Sequence, residues 1–350
     1  MTGDGPTGET AANPDDQQAG AWPSVREKRW LLKPLVTLLL YAVIFYRIDV
    51  GALVTRLATT RLEYVAAGVT LYVAGQLCST YRWYLLLRPV RLVVSYRRLL
   101  SFYFIGMFFN IFLPTVVGGD AVKAILLARE TQAPVRATTS VFMERNLGLF
   151  ALLTIATAAA WIAPPVELLG FGLPVLLGAL LTAFVVANLL IFTAPAYHMV
   201  DRLVALTPLA RLRPRAASLY EAIAPYTLDA RILLVGLATS FVFQAIVIVV
   251  VFLNARALGQ SFPMSAMAVF VPLISLAGMI PVSVNGLGVR DALYLLLFGQ
   301  LGASADVSLS LALLYFAVTV AASLPGGVVY ALQKRSPACV GNVPRPGGRP

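Results

Sequence analysis

The chain alternates between long apolar runs and short stretches that contain charges, prolines and glycines. Six runs approach or exceed the ~20 residues that a helix needs to cross a bilayer. Because a backbone exposed to lipid must satisfy its own hydrogen bonds, these runs predict membrane-spanning helices. They are Trp30–Tyr46, Tyr64–Leu87, Thr138–Ala163, Phe171–Ala194, Ile232–Leu253 and Val307–Leu332.

Three further apolar runs are too short for a full crossing. Leu99–Leu113 ends at Pro114, Met264–Ile280 ends at Pro281, and Ala292–Leu301 follows the second of these. Runs of this length are typical of re-entrant or interfacial segments, and proline ends a helix because it lacks a donor and clashes with the preceding turn. The pattern therefore predicts an all-α polytopic membrane protein with about six full spans and two re-entrant or broken-helix elements. An eight-helix arrangement, in which the short runs cross fully, stays open.

Composition supports a membrane protein and separates the ends from the middle. The 350 residues are 59% hydrophobic and only 12% charged, whereas ordinary globular domains are about a quarter charged. Residues 1–24 and 336–350 are rich in Gly and Pro and predict disordered tails around a transmembrane domain at 25–335. Residues 1–24 also lack the basic start and apolar stretch of a signal peptide.

The basic residues indicate topology rather than nucleic-acid binding. The net charge is +11, but the Arg and Lys side chains lie mainly between the apolar runs. If both short elements return to the side they enter from and the N-terminus is cytoplasmic, few basic residues stay outside: Arg47, Arg56, Arg61 and Arg256. This asymmetry predicts a multi-pass protein of the cell membrane with both termini in the cytoplasm.

Residues that would hold a cofactor are sparse. Cys78 and Cys339 are far apart, and His198 is the only histidine, which argues against a disulfide framework and a histidine metal site. The chain has no G-x-x-x-x-G-K-[ST] loop for ATP. We therefore expect no cofactor.

The two proline breaks resemble each other. The segments from Pro114 to Lys123 and from Pro281 to Arg290 both read P-x-x-V-x-G-x-x-V-[K/R]. In the predicted topology they enter from opposite faces, as in an inverted repeat whose broken helices meet near the bilayer midplane. Glycines let a backbone approach a ligand, and free amides at the start of the following half-helix can hold an anion. Chance similarity is the alternative, because Gly, Pro and Val are common in membrane helices.

These residues resemble the flippase-like transmembrane family, which comprises the membrane region of lysylphosphatidylglycerol synthases and its stand-alone relatives. The resemblance covers about Trp30 to Leu332. It rests on Arg82, Trp83, Leu85–Leu87, Asn110, Leu113, Pro114, Gly118, Gly119, Asp120, Lys123, Glu144, Arg145, Pro281, Gly286, Leu287, Gly288, Arg290 and Asp291. The family often has Arg at the position of Lys123 and Glu at that of Asp291. Lys keeps the charge there but cannot make a bidentate phosphate contact.

The resemblance implies a domain that moves a lipid between leaflets. The function predicted is a transporter of an anionic or modified phospholipid, or of a lipid-linked head group. Aminoacyl transfer by the synthases belongs to a separate soluble domain, for which the two tails are too short, so we expect no enzymatic activity. The expected partners are a membrane lipid with an anionic head group and a separate lipid-modifying enzyme, and no nucleic acid.

The candidate substrate-binding residues lie at the two breaks and at the start of the third predicted span. They are Asn110, Pro114, Gly118, Gly119, Asp120, Lys123, Glu144, Arg145, Pro281, Gly286, Gly288, Arg290 and Asp291. In this hypothesis three cations and three carboxylates have separate roles. Lys123, Arg145 and Arg290 receive the head group, and Asp120, Glu144 and Asp291 orient these cations.

Simpler interpretations remain for individual residues. Asp120 could cap a helix, Glu144 and Arg145 could reach the interface, and Arg82 with Trp83 predicts an anchor of a helix end at the interface. The alternative function is a membrane enzyme acting on polyprenyl-phosphate or phospholipid substrates, such as a glycosyltransferase. Asp120 or Glu144 would then be a general base or a metal ligand.

Overall fold

The computed structural model describes residues 50–113, 118–165, 167–168, 171–192, 213–280 and 286–334. This part contains eleven helices and one pair of two-residue strands. The helices are α1 (Val50–Ala58), α2 (Leu62–Leu86), α3 (Tyr96–Phe112), α4 (Gly118–Thr131), α5 (Pro134–Ala160), α6 (Leu173–Phe192), α7 (Arg213–Thr227), α8 (Ala230–Ala257), α9 (Met264–Gly278), α10 (Val289–Gly299) and α11 (Ala305–Lys334). The antiparallel strands are β1 (Glu167–Leu168) and β2 (Phe171–Gly172).

The long helices confirm an all-α polytopic membrane protein. By length and composition, α5, α6, α8 and α11 could each cross a bilayer. Helix α2 has 25 residues but is less apolar. These five helices coincide with predicted spans, while the predicted span Trp30–Tyr46 and both tails lie outside the described residues. The sequence did not predict α1, or α7 within the longest internal loop.

Local sequence fixes several helix starts. The Ser95 side chain accepts a hydrogen bond from the backbone N–H of Arg98 and caps α3. Asp229 does the same for Ile232 at the start of α8, at 3.0 Å. Pro134 opens α5, where a missing backbone donor has no consequence because the first helical amides have no intrahelical partner. Each start therefore carries a residue type suited to a helix N-terminus.

Helices α3 and α4 form a hairpin that returns to the end it came from. Arg98 at the start of α3 pairs with Glu130 at the end of α4, with 3.1 Å between Nη2 and Oε2. The two helices cross where Gly119 packs against the backbone of Gly106. At 17 and 14 residues the helices are about 25 and 21 Å long, shorter than the ~30 Å hydrocarbon layer. This is the shape expected of a re-entrant element.

Helices α9 and α10 form a second hairpin. Phe262, just before α9, lies 5.1 Å from Phe298 near the end of α10, measured between ring centroids. At the other end of the hairpin, Gly286 packs against Gly278. The base of the hairpin is thus at the phenylalanines and its tip is at the glycines.

The two hairpins open toward opposite ends of the molecule. Helices α2 and α8 are antiparallel: a Cβ added to Gly68 would lie 3.4 Å from Asn254, and one added to Gly236 would meet Arg82 and Leu86. The first hairpin follows the C-terminal end of α2, and the second follows the C-terminal end of α8. A long helix, α5 or α11, follows each hairpin. The order long helix, hairpin, long helix therefore occurs twice in opposite orientation, as in inverted repeats.

Besides a small apolar cluster around Leu53 and Leu309, the interior contains two large ones. One joins α5, α6, α8, α9, α10 and α11, and the other joins α2 to α5 with Tyr226 of α7. Trp83 belongs to the second cluster, is fully buried, and donates a hydrogen bond to Ser140 at 3.1 Å. Arg82 is also buried. The expectation that these two residues anchor a helix at the interface is therefore wrong, since both face the protein interior.

Candidate functional site

A cavity of about 310 Å³ lies between the two hairpins and is lined by both of them. Its lining includes four cationic and two anionic side chains, which leaves two positive charges in excess. They are Arg82, Lys123, Arg145, Arg290, Asp120 and Glu144. Ionisable groups inside a membrane protein are costly unless paired, and they mark sites of function.

Glu144 is the centre of a buried polar network. Its side chain is only 4% exposed. One carboxylate oxygen accepts hydrogen bonds from Arg82, at 3.1 Å, and from the Tyr103 hydroxyl, at 3.0 Å. The other accepts from Nζ of Lys123 at 2.9 Å. Arg82 also donates to Ser240 on α8, at 2.8 Å. Glu144 and Arg82 thereby join four consecutive helices, α2 to α5, to α8.

Lys123 is enclosed by protein partners. Its ammonium lies 2.9 Å from Asp120 and 2.9 Å from Glu144. It also stands over the ring of Tyr103, 4.4 Å from the centroid. The sequence-based hypothesis had Lys123 receive a head group, but in this structure two carboxylates already neutralise it. Charge-assisted contacts of this kind are among the stronger hydrogen bonds in proteins.

Arg145 is more accessible than Lys123. It pairs with Asp120, with 2.9 Å between Nε and Oδ2, and its side chain is 39% exposed. Asp120 therefore serves two cations at once, Lys123 and Arg145. Arg145 therefore shares the Asp120 carboxylate with Lys123, and its partly exposed side chain lines the cavity.

Arg290 is the one cavity cation that has no carboxylate partner among the described residues. Its guanidinium stands over the ring of Tyr315, 5.4 Å from the centroid, and it makes no hydrogen bond or ion pair with any residue that the structure describes. A guanidinium presents five donors in a fixed planar arrangement. The second hairpin thus brings to the cavity a cation that no described carboxylate neutralises.

The two hairpins place their cations in the same way. A Cβ on Gly106 would lie 2.7 Å from Cγ of Lys123, so the lysine stem crosses the bare backbone of α3. A Cβ on Gly278 would lie 3.0 Å from Cδ of Arg290, so the arginine stem crosses α9 likewise. In both hairpins a glycine on the incoming helix makes room for the cation of the outgoing helix.

The helix-start amides are less available than the sequence suggested. Asn110 accepts a hydrogen bond from the backbone N–H of Gly119 at 3.2 Å. Asp291 accepts one from Gly288 at 2.9 Å and caps α10. Asp291 is buried and is not among the cavity-lining residues. It therefore does not orient Arg290 by an ion pair, which corrects the role we expected for it.

The remaining predicted site residues divide between the lining and its support. Asn110, Gly119, Asp120, Lys123, Glu144, Arg145 and Arg290 line the cavity. The other three described residues, Gly118, Gly286 and Gly288, are buried without being among the lining residues. Gly286 and Gly288 have φ angles of 72° and 82°, which favour glycine. Pro114 and Pro281 lie outside the described residues.

Sequence reasoning missed several lining residues. Arg82 was read as an anchor, and Tyr103, Gly106, Gly278 and Tyr315 were not singled out. One signal was available for Arg82: a carboxylate predicted inside a span, such as Glu144, needs a cation on a neighbouring helix. The tyrosines and the two incoming-helix glycines look like ordinary membrane-helix residues.

Fold and site together define a polytopic helical membrane protein with a positively charged cavity between two oppositely oriented helical hairpins. Residues 30–327 match the family described as the lysylphosphatidylglycerol synthase TM region, and the chain belongs to this family. The chain is also similar to a UPF0104 membrane protein of Methanothermobacter thermautotrophicus, with 27% identity over 271 residues, covering 70% of this chain and 78% of the relative. No solved structure matches the chain. The family match confirms the resemblance seen in the sequence.

Proposed function

We propose that this protein moves a lipid with an anionic head group between membrane leaflets. The observation that carries the proposal is the cavity between the hairpins, whose lining has two more positive than negative side chains. An anionic head group would offset this excess while its hydrocarbon chains stay in lipid. Inverted repeats with broken helices that meet at a polar site are a common design of transporters.

The ion pairs favour transport over lipid chemistry. Asp120 pairs with Lys123 and Arg145, and Glu144 pairs with Lys123 and Arg82. Each carboxylate thus acts as a counter-ion for two cations. A general base instead needs a carboxylate that is free to take a proton from the substrate. We therefore propose that the protein is not itself an enzyme and that a separate enzyme modifies the lipid it carries.

The same proposal includes an orientation in the cell membrane. The loop between α2 and α3 and the ends of α4 and α11 lie at one end of the molecule, and the basic residues Arg88, Arg91 and Arg97 belong to this end. By the positive-inside bias this end faces the cytoplasm. The described part then ends on the cytoplasmic side, in keeping with a cytoplasmic C-terminal tail.

Leaflet exchange in vesicles tests the proposal. The purified full chain would be reconstituted into liposomes that contain either phosphatidic acid or phosphatidylglycerol, labelled with a fluorophore on an acyl chain, and dithionite would then bleach the label in the outer leaflet. We expect bleaching to exceed the outer-leaflet fraction found in protein-free vesicles. Mass spectrometry of the extracted lipid separates transport from chemistry, because an enzyme would yield a new product.

A matched pair of variants ties the exchange to the cavity. Arg290→Gln removes the cavity cation that has no carboxylate partner among the described residues, and it should slow exchange of the anionic lipid. Arg256→Gln removes one positive charge from an exposed position at the end of α8 and should leave exchange unchanged. No exchange of either anionic lipid by the unaltered protein, or equal loss in both variants, would count against a transport function for this cavity.

A further inference from the structure

Given the proposed lipid transport, we infer that the cavity selects a lipid that ends in a phosphate monoester, rather than a phosphodiester, zwitterionic or aminoacylated head group. The charge of the cavity is the starting point. Two positive charges stay uncompensated after every described ion pair in the lining is counted. A buried site binds a ligand best when the ligand completes its charge balance.

Head groups differ in the charge that they bring. A phosphate monoester carries about −1.5 to −2 near neutral pH. A phosphodiester such as phosphatidylglycerol carries a single negative charge, and phosphatidylethanolamine is zwitterionic. An aminoacylated phosphatidylglycerol adds one ammonium, or two for a lysyl group, so it has no net negative charge to offset the excess. The monoester is therefore the head group that fits the excess of two positive charges.

The positions of the free donors lead to the same ligand. Arg290 reaches the cavity from α10 with no described partner for its guanidinium, and Arg145 reaches it from α5 while sharing one carboxylate with Lys123. A terminal phosphate offers three acceptor oxygens, so two guanidinium groups can bind it at once, each through paired N–H donors. A phosphodiester has only two unsubstituted oxygens and one negative charge, so it offers the two arginines fewer acceptors and less charge.

Neutral side chains of the lining do not compete with the arginines for the phosphate. The hydroxyls of Ser275, Thr319 and Ser323 belong to cavity-lining residues on α9 and α11. Each donates its hydrogen to a backbone carbonyl of its own helix, at 2.7–2.8 Å. Lys123 plays no part in this selection, because Asp120 and Glu144 already hold it. The ligand therefore meets Arg145 of α5 and Arg290 of α10, and not Lys123.

Binding in detergent solution tests the inference separately from transport. Affinities of the full chain for phosphatidic acid, phosphatidylglycerol, phosphatidylethanolamine and lysyl-phosphatidylglycerol with identical acyl chains would be measured by native mass spectrometry. Near pH 7.5 we expect phosphatidic acid to bind about tenfold more tightly than phosphatidylglycerol, the gain typical of one additional charge-assisted hydrogen bond. Equal affinity for these two lipids, or tighter binding of the aminoacylated lipid, would overturn the inference.

Acidification provides an internal control, because the second ionisation of a phosphate monoester lies near pH 6. At about pH 5 phosphatidic acid becomes a monoanion, and its advantage over phosphatidylglycerol should disappear. Phosphatidylglycerol does not titrate in this range, so its own affinity reports any change in the protein. An advantage that persists at low pH would show that a feature other than the second charge is recognised.

Substitutions identify the residues that give the preference for phosphatidic acid. Arg290→Gln should remove the advantage of phosphatidic acid, Arg290→Lys should keep part of it because the charge survives, and Arg256→Gln should keep all of it. Glycerol 3-phosphate as competitor distinguishes a lipid from a soluble phosphate, and competition as strong as that of phosphatidic acid would overturn the lipid assignment. Selective binding without leaflet exchange would instead sink the transport proposal and leave the ligand class standing.

Discussion

Glu144→Gln is the substitution that the buried network makes most informative. Glu144 is 4% exposed and accepts three hydrogen bonds, from Lys123, Arg82 and Tyr103. Glutamine keeps the size but removes the charge and turns one acceptor into a donor, so that one of the three partners meets an N–H group. Removing one partner of a buried ion pair destabilises proteins by about 3–5 kcal/mol, and we expect a loss of unfolding free energy in this range.

Glu130→Gln is the matched control for this substitution. Glu130 also pairs with an arginine, Arg98, but the two side chains are 39% and 42% exposed. Exposed pairs contribute about 0–1 kcal/mol, so the control should unfold almost like the original protein. Equilibrium unfolding in mixed micelles of a mild detergent and SDS would measure both variants.

A further variant tests whether the network acts as a unit. In the double variant Lys123→Met, Glu144→Gln, the cation and its counter-ion leave together, so the loss should be smaller than the sum of the single losses. Similar losses for Glu144→Gln and Glu130→Gln would refute the argument that burial makes these charges depend on each other. Additive losses in the double variant would refute the argument that Lys123 and Glu144 stabilise the protein as a pair.

Three other predictions follow from positions described above. Gly119→Ala places a methyl group against the α3 backbone and should destabilise the protein by about 1–3 kcal/mol through overpacking. Gly178→Ala on α6, where a Cβ would have no neighbour within 4 Å, should leave stability unchanged. Thermal unfolding in detergent would compare the two variants. With both native cysteines replaced, an impermeant thiol reagent should label Val93→Cys only from the inner side and Trp161→Cys only from the outer side of intact cells, and the reverse pattern would overturn the topology. Asp291→Ala removes the cap of α10 and should lower stability by about 1 kcal/mol while leaving the lipid preference intact, and an altered preference would return Asp291 to the site.

The overall architecture could be predicted because a lipid environment restricts which residues a membrane-spanning helix can contain. Apolar runs located α2, α5, α6, α8 and α11, since a helix in lipid must be apolar along its length. The short runs that end in proline and glycine located the two hairpins. Helix α7 escaped prediction because its segment carries charges and only a weak apolar pattern, and a helix that packs on other protein surfaces needs no apolar run.

The site was harder to predict because pairing is a three-dimensional property. The motif indicated Lys123 and Arg290 as equivalent cations, yet α5 supplies Glu144 to the first and α11 supplies Tyr315 to the second. Asp291 lies next to Arg290 in sequence, but its carboxylate accepts a hydrogen bond from the backbone N–H of Gly288 at the start of the same helix. Residues adjacent on a helix face different directions, so adjacency in the sequence could not reveal these partners.

The fluorescence of Trp83 can report on the charged residues around Lys123. Its indole is fully buried and stands 5.3 Å from the ammonium of Lys123. Indole fluorescence responds to the local electric field, so a ligand that draws Lys123 away from its carboxylates would shift the emission. A ligand held by the arginines alone would leave the emission unchanged. In a variant that keeps Trp83 as its single tryptophan, the emission wavelength would therefore show whether the ligand contacts Lys123 or the arginines alone.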